Sequence, residues 1–212
     1  YAYGGGLGAE AVVAGSTYIA LLGGEVRRDI YAAGTSGSVE DTYGAGFFGD
    51  DNQDGFIPSA NVYIKGGTVR NVYGGGWRGN VGKHIKVVND VESDALISEV
   101  ANNNDDRLGE VHVVIGDLNG NSHTSGIPSI TRNVYGGGEG GAIFGDAYVT
   151  INNGYIGYRY NPQGTDAEAT TDINEKYEPE LDDANPGDNL LDKGGNVFGG
   201  GYVANSYVDR SQ

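Results

Sequence analysis

The sequence predicts an all-β fold: a right-handed parallel β-solenoid (β-helix) of about four to five rungs, each of three short strands, with long loop insertions. Three observations predict it. First, one short motif recurs, as YGGG at Tyr3, YAAG at Tyr31, YGGG at Tyr73, YGGG at Tyr135 and FGGG at Phe198. Second, Gly is 39 of 212 residues, far above the usual share of about 7%, without the every-third-residue pattern of collagen. Third, the segments between motifs alternate apolar and polar residues with the period of two that suits a half-buried strand.

The elements follow in chain order. A first strand carries Ile19 and Leu21, Val62 and Ile64, or Val149 and Ile151. A glycine turn comes next, at Gly23–Gly24, Gly66–Gly67 or Asn153–Gly154. A second strand is expected over 26–31, 69–73 and 130–135, ending on the aromatic residue of the motif. The glycine corner follows, at Gly74, Gly75 and Gly76, at Gly136, Gly137 and Gly138, and at Gly199, Gly200 and Gly201. A third strand then holds Val12 and Val13, Val81, or Ile143 and Phe144, and a single glycine (Gly15, Gly82, Gly145) returns the chain to the first strand. Glycine is expected at these corners because it adopts positive φ at low cost and lets neighbouring backbones approach.

Successive motifs are 28, 42, 62 and 63 residues apart. The shortest interval is taken as the bare unit, and the longer ones as that unit with insertions at about 35–60, 89–110 and 158–193. The whole chain, 1–212, reads as one domain. Stacking the units about 4.8 Å apart lays each strand over its equivalent, so Tyr3, Tyr31, Tyr73 and Tyr135 are expected to form a ring ladder extended by Phe198. A β-sandwich or propeller is the alternative. Propeller blades need periods of about 40–50 residues, and a sandwich has no reason to repeat one corner five times. The chain opens in the second strand and closes on NSYVDRSQ, which resembles the start of a first strand such as GSTYIAL. Open solenoid ends of this kind invite edge pairing. The expected partner is therefore either the adjacent repeats of a longer chain or another copy of the chain, end to end.

Charge narrows the partners. With 13 basic and 29 acidic residues the net charge is −16, which disfavours nucleic acid and anionic membrane. No run of about 20 apolar residues is present, so no membrane insertion is expected. There is no Cys and no Met, even at position 1. The absence of Cys removes disulfide and thiol chemistry, and the absence of Met suggests a processed product or an excised segment.

Sites of chemistry are few. In DDNQDGFI, Asp50, Asn52, Asp54 and Gly55 match the opening of a Ca²⁺ loop, whose alternate carboxylates wrap a hard cation at about 2.3–2.6 Å. The twelfth position is Asn61 rather than Glu, and Pro58 interrupts the loop. Ca²⁺ at Asp50, Asn52 and Asp54 is thus a candidate, with an acidic turn as the competing reading. GDLNGNS (Asp117, Asn119, Asn121) is a fainter echo. The insertion after Tyr158 holds ten acidic and three basic residues and reads as a solvated surface loop, with cation or ligand capture as the alternative. His84, His112 and His123 lack metal-ligand spacing and a nucleophile, and His112 between Val111 and Val113 reads as outward-facing on a strand. No catalytic residue stands out. The ring ladder is expected to be structural, with a sugar-binding platform as its alternative.

With the motif written out, the pattern VYGGG, strand, GG, strand, VYGGG resembles the Gly-rich repeats of large adhesin-like surface proteins of anaerobic gut bacteria. The resemblance covers nearly all of the chain outside the insertions; the irregular intervals depart from a clean tandem array. It implies secretion, cell-surface attachment or assembly into fibres, and no enzymatic activity. The expected role is a non-enzymatic extracellular structural or adhesive module, a stalk segment or head-to-tail filament subunit, with surface glycans or host proteins as further partners. The alternative is a carbohydrate-binding or polysaccharide-degrading β-helix protein.

Overall fold

The computed structural model describes residues 1–40, 57–83, 85–88, 91–94, 109–117, 127–157, 195–202 and 206–207. Among them every regular element is a β-strand and none is a helix. All the strand ladders are parallel except one hairpin, Ile85–Val88 with Val91–Asp94. Parallel neighbours far apart in sequence are what recurring units produce when each unit lies against the next.

Four ladders carry the fold. The first orders Ala2–Tyr3, Ile30–Tyr31, Val72–Tyr73, Val134–Tyr135 and Val197–Phe198, with the five aromatic residues in direct register. The second holds the longest strands: Thr17–Leu21, Ser59–Ile64, Glu110–Ile115 and Ala147–Ile151. The third pairs Glu25–Val26, Thr68–Val69, Ser129–Ile130 and Tyr155–Ile156. The fourth runs from Val13–Ala14 to Val39–Glu40, through single bridges at Val81 to Ile143–Phe144, and on to Ser206–Tyr207. Within each ladder the order in space is the order along the chain.

Alternation sorts the side chains. In Ser59–Ile64 the residues Ala60, Val62 and Ile64 are fully buried, as are Val111, Val113 and Ile115 in register with them. They join Val69, Val72, Val81, Ile130, Val134 and Ile143 in one aliphatic core. Each such side chain contributes about 1.5–3 kcal/mol by leaving water. β-branched residues dominate because a pleated surface suits their restricted χ1.

Several expectations are corrected. The predicted second strand is two strands in two ladders, so each repeat has four short strands rather than three. Val69 and Val72 show why: both are fully buried, yet residues three apart in one straight strand face opposite sides. The chain must bend at Arg70–Asn71. The predicted insertion 35–60 is narrower, since Val39–Glu40 and Ser59–Ala60 are paired strand residues. The predicted insertion 89–110 contains the strand Val91–Asp94, and Glu110 opens a long strand. Ser206–Tyr207 pairs with Ile143–Phe144, the predicted third strand, and not with the first.

Of the two causes expected for the glycine triplets, positive φ and the close approach of neighbouring backbones, only the second applies. Positive φ occurs at Gly15, Gly82 and Gly145 and at the turns Gly24, Gly67 and Gly154, but not in the triplets. What the triplets require is room. A Cβ on Gly136 would lie 2.3 Å from the Gly199 carbonyl oxygen, and one on Gly137 would lie 2.4 Å from the Gly201 nitrogen.

The second ladder yields a direct test. Ile115 is fully buried while Ile151, in register with it, is 44% exposed. Ile115→Ala is expected to cost about 2–5 kcal/mol, and Ile151→Ala a small fraction of that, measured by urea denaturation of the two variants.

Candidate functional site

The repeated hexapeptide builds two side-chain columns. Alternation within the two-residue strand turns Val72 into the aliphatic core and Tyr73 to the opposite face. There Tyr3, Tyr31, Tyr73, Tyr135 and Phe198 stack, with successive ring centroids 5.1, 4.7, 4.7 and 5.0 Å apart and interplanar angles of 9° or less. These spacings match the roughly 4.7–4.9 Å between strands, so the backbone ladder sets them. Tyr31, Tyr73 and Tyr135 are buried, and Tyr202 closes on Tyr135 edge-on at 5.7 Å. The Tyr31 hydroxyl donates to the Glu139 carboxylate, a residue of the loop that follows the Tyr135 triplet.

Burial governs the chemistry of these phenols. Loss of solvent is the main cause that raises the Tyr31 pKa well above the ordinary tyrosine value, followed by its hydrogen bond to Glu139. Burial likewise raises Tyr73, with the Glu139 charge next in effect, and Tyr3 is raised in the same way. Tyr3, Tyr31 and Tyr73 therefore hold their protons at physiological pH.

The second column begins one residue before each strand. Asp29, Asn71, Asn133 and Asn196 lie over one another, and each side-chain oxygen accepts the backbone N–H of the next: Asn71 on Asp29 at 3.1 Å, Asn133 on Asn71 at 3.0 Å, Asn196 on Asn133 at 3.1 Å. The Asn71 amide also donates to Asp29 at 2.9 Å, and the Asn196 amide to Asn133 at 3.1 Å. Asp29 is almost wholly buried. Its carboxylate is held by the Arg70 guanidinium through Nε and Nη2, so a buried charge is both paired and hydrogen-bonded. That hydrogen bond is the main cause that raises the Arg70 pKa, keeping the guanidinium charged.

This column was missed in the sequence reading although its signal was printed there. The motif is NVYGGG at 71 and 133, NVFGGG at 196 and DIYAAG at 29, each opening on Asn or Asp. An amide fits because it both donates and accepts, so identical residues bond when stacked.

Asp50, Asn52 and Asp54 lie outside the described residues, as do Asn119, Asn121, His84 and His123. Asn61 is a strand residue whose amide donates to the Thr17 carbonyl and to Ser59. Among the described residues no group of three or more His, Asp or Glu side chains could hold a metal ion. His112 stands beside Glu110 at 3.1 Å and stacks on Tyr148 at 5.0 Å. Tyr148 donates to Asp146, and that bond raises its pKa. Tyr18 stacks on Tyr63 at 4.8 Å further along the same face of the second ladder. No described helix is long and apolar enough to cross a membrane.

No family model, no curated protein and no solved structure matches this chain.

Two outcomes test the columns. Asn133→Ala removes the acceptor for the half-buried Asn196 N–H, a loss of about 1 kcal/mol in denaturant titration; Asn133→Asp, which puts a charge on a buried side chain, is expected to lose at least as much. Alkaline titration tests the rings. A phenol whose folded pKa exceeds its unfolded value of about 10 holds its proton longer in the native state, so its contribution is complete below about pH 10 and is lost above it. The thermal midpoint should fall steeply above pH 10, and Tyr73→Phe should shallow that fall.

Proposed function

We propose that the chain is a non-enzymatic structural or adhesive module of the extracellular surface, a stalk segment or filament subunit built as a right-handed parallel β-solenoid. The observation that carries this reading is the five-ring column from Tyr3 to Phe198, in which equivalent residues of every repeat superpose at strand spacing. In each repeat the chain also visits the four ladders in one order before returning to the first. A path that returns one strand further along each time favours a coil, and parallel crossovers favour the right hand in about 98% of cases. Quasi-linear stacks of this kind suit spacing and display, because each unit touches only its neighbours.

The non-enzymatic part rests on how four of the described acids are used. Asp29 serves Arg70 and Asn71, Glu139 serves Tyr31, Glu110 faces His112 and Asp146 accepts from Tyr148. Each is engaged by a neighbouring side chain, across repeats for Asp29 and Glu139 and two residues along the chain for Glu110 and Asp146. The extracellular, cell-surface assignment rests on the resemblance to Gly-rich adhesin repeats and on a −16 chain without cysteine, with surface glycans, host proteins and its own repeats as partners.

A carbohydrate-binding role is the second reading, favoured by the aromatic side chains Tyr18, Tyr63 and Tyr148 on the outer face of the second ladder. Small-angle scattering and electron microscopy of the purified chain, beside assays on a polysaccharide panel, separate the two. Elongated particles of constant width and no release of reducing ends are expected. Globular particles that depolymerise a glycan would overturn the proposal, and retardation in glycan-containing gels that is lost in Tyr18→Ala and Tyr148→Ala would favour the second reading.

A further inference from the structure

The net charge of −16 conceals a local reversal of sign. The stretches that run from the third ladder towards the first are 25–29, 68–71 and 129–133. They hold four of the chain's 13 basic residues, Arg27, Arg28, Arg70 and Arg132, against two of its 29 acidic ones, Glu25 and Asp29. Arg27 and Arg28 are exposed, and Arg132 is half-buried. In about 0.15 M salt, charges further apart than about 8 Å are largely screened from one another. A ligand at this corner therefore meets the arginines before it meets the acids elsewhere on the chain.

Three of the four form a row. The Arg70 backbone N–H donates to the Arg28 carbonyl at 3.1 Å and that of Arg132 to the Arg70 carbonyl at 2.8 Å, so these arginines stand on successive repeats about 4.8 Å apart. Each directly precedes the Asp or Asn of the amide column, in RDIY, RNVY and RNVY. Like charges in such register cost stability. The ladder does not need them, because the Gly195 N–H donates to the Arg132 carbonyl at 2.8 Å and continues the row without a side chain. Asp29 accounts for Arg70, whose guanidinium it holds through Nε and Nη2. The Tyr1 ring, 5.8 Å from the Arg28 guanidinium, leaves that charge intact. Local rules broken in this way are expected where function outweighs stability.

The chemistry of the row selects its ligand. A guanidinium presents a planar fork of donors that matches a carboxylate or a sulfate, and a row at constant spacing suits a polymer that repeats its acid group unit by unit. A single glycan strand is narrow enough to lie along the corner. A second copy of this chain, or a nucleic-acid duplex, would instead bring a broad anionic surface against the acids around it.

We infer that Arg28, Arg70 and Arg132, with Arg27 beside them, bind a linear acidic polysaccharide laid along the direction in which the repeats stack. Arg27, Arg28 and Arg132 supply contacts to its carboxylate or sulfate groups, and Arg70, fixed by Asp29, is the rigid middle of the row. The site rests on the adhesive reading and names the class of glycan which that reading leaves open. It lies between the third and first ladders, not on the tyrosine-bearing face of the second.

Affinity electrophoresis and calorimetry of the intact chain with polygalacturonate, dextran sulfate, neutral dextran and duplex DNA test the site. Binding to either acidic glycan is expected, weaker as salt is raised and absent with dextran, and the tighter of the two identifies the acid group. Arg27→Gln, Arg28→Gln and Arg132→Gln are each expected to weaken it about fivefold, with the thermal midpoint checking that each variant is folded. Arg78→Gln removes the same charge from an exposed residue beside Trp77 and is expected to leave binding unchanged. An equal loss in Arg78→Gln, duplex DNA bound as tightly as the glycans, or affinity indifferent to the three arginine variants would each overturn the site. Dextran bound in place of the acidic glycans would overturn it and leave the adhesive reading standing. Elongated particles that bind no glycan would overturn it and leave the stalk reading standing.

Discussion

The constraint on which the structure depends is superposition of like on like at one strand spacing. Parallel, in-register pairing puts every side chain about 4.8 Å from its own equivalents in the neighbouring repeats, so each column must be built from residues that tolerate themselves. Branched aliphatics do, and Val62, Val113 and Val149 follow Ile19 in one inner row. Aromatic rings do, and amides do. Carboxylates do not, because like charges at that distance repel. Accordingly the one acid in the amide column, Asp29, carries its counter-charge in Arg70. Arginines at 28, 70 and 132 do follow one another along the backbone ladder, and they are dispersed by different partners: the Tyr1 ring for Arg28 and Asp29 for Arg70.

The same constraint explains how composition drifts without loss of the fold. Gly74 has no room for a methyl group, since its Cβ would lie 2.2 Å from Val111 Cγ1 and 2.3 Å from the Gly136 oxygen. Yet the equivalent corner at Tyr31 reads Ala32–Ala33, both fully buried. In that repeat the residue in register with Val111 is Ala60, smaller by two methyl groups. Volume added at the corner is removed from the strand facing it, which keeps the interior at native density.

What could be read from the sequence followed from the length and purity of each signal. The long strands were legible because Val62 and Ile64, or Val149 and Ile151, sustain a period of two, and the ring column because one aromatic residue precedes every glycine corner. Two-residue strands carry no period at all. The break between Thr68–Val69 and Val72–Tyr73 was therefore hidden, although two polar residues in a row, Arg70 and Asn71, marked it. Val39 escaped for a related reason: a single apolar residue among Ser, Gly and Glu has no pattern, and only its pairing with Val13 and Val81 shows its place. The triplet glycines were located correctly, and of their two expected causes the close approach of a neighbouring repeat holds while positive φ does not. The Asn column was in plain view and went unread, since one polar residue before a strand looks like an ordinary turn.

This division of labour bears on function. Ladder positions are answerable to their equivalents above and below, and the length of the repeats varies in the segments between ladders. The chain leaves the described ladders after Glu40 and after Lys83, at the same corner of successive repeats, and again after Asp117 and after Gly157 at two other corners. Loop closure cost grows only slowly with length, so a stack already held by backbone ladders, an aliphatic core and two side-chain columns tolerates large insertions at its corners. The result separates a repeated geometry from intervening segments of differing length on one chain. On the proposed reading, the columns give the module its length and stiffness, and the acidic segments rooted at the corners give it a surface that varies without disturbing the rod.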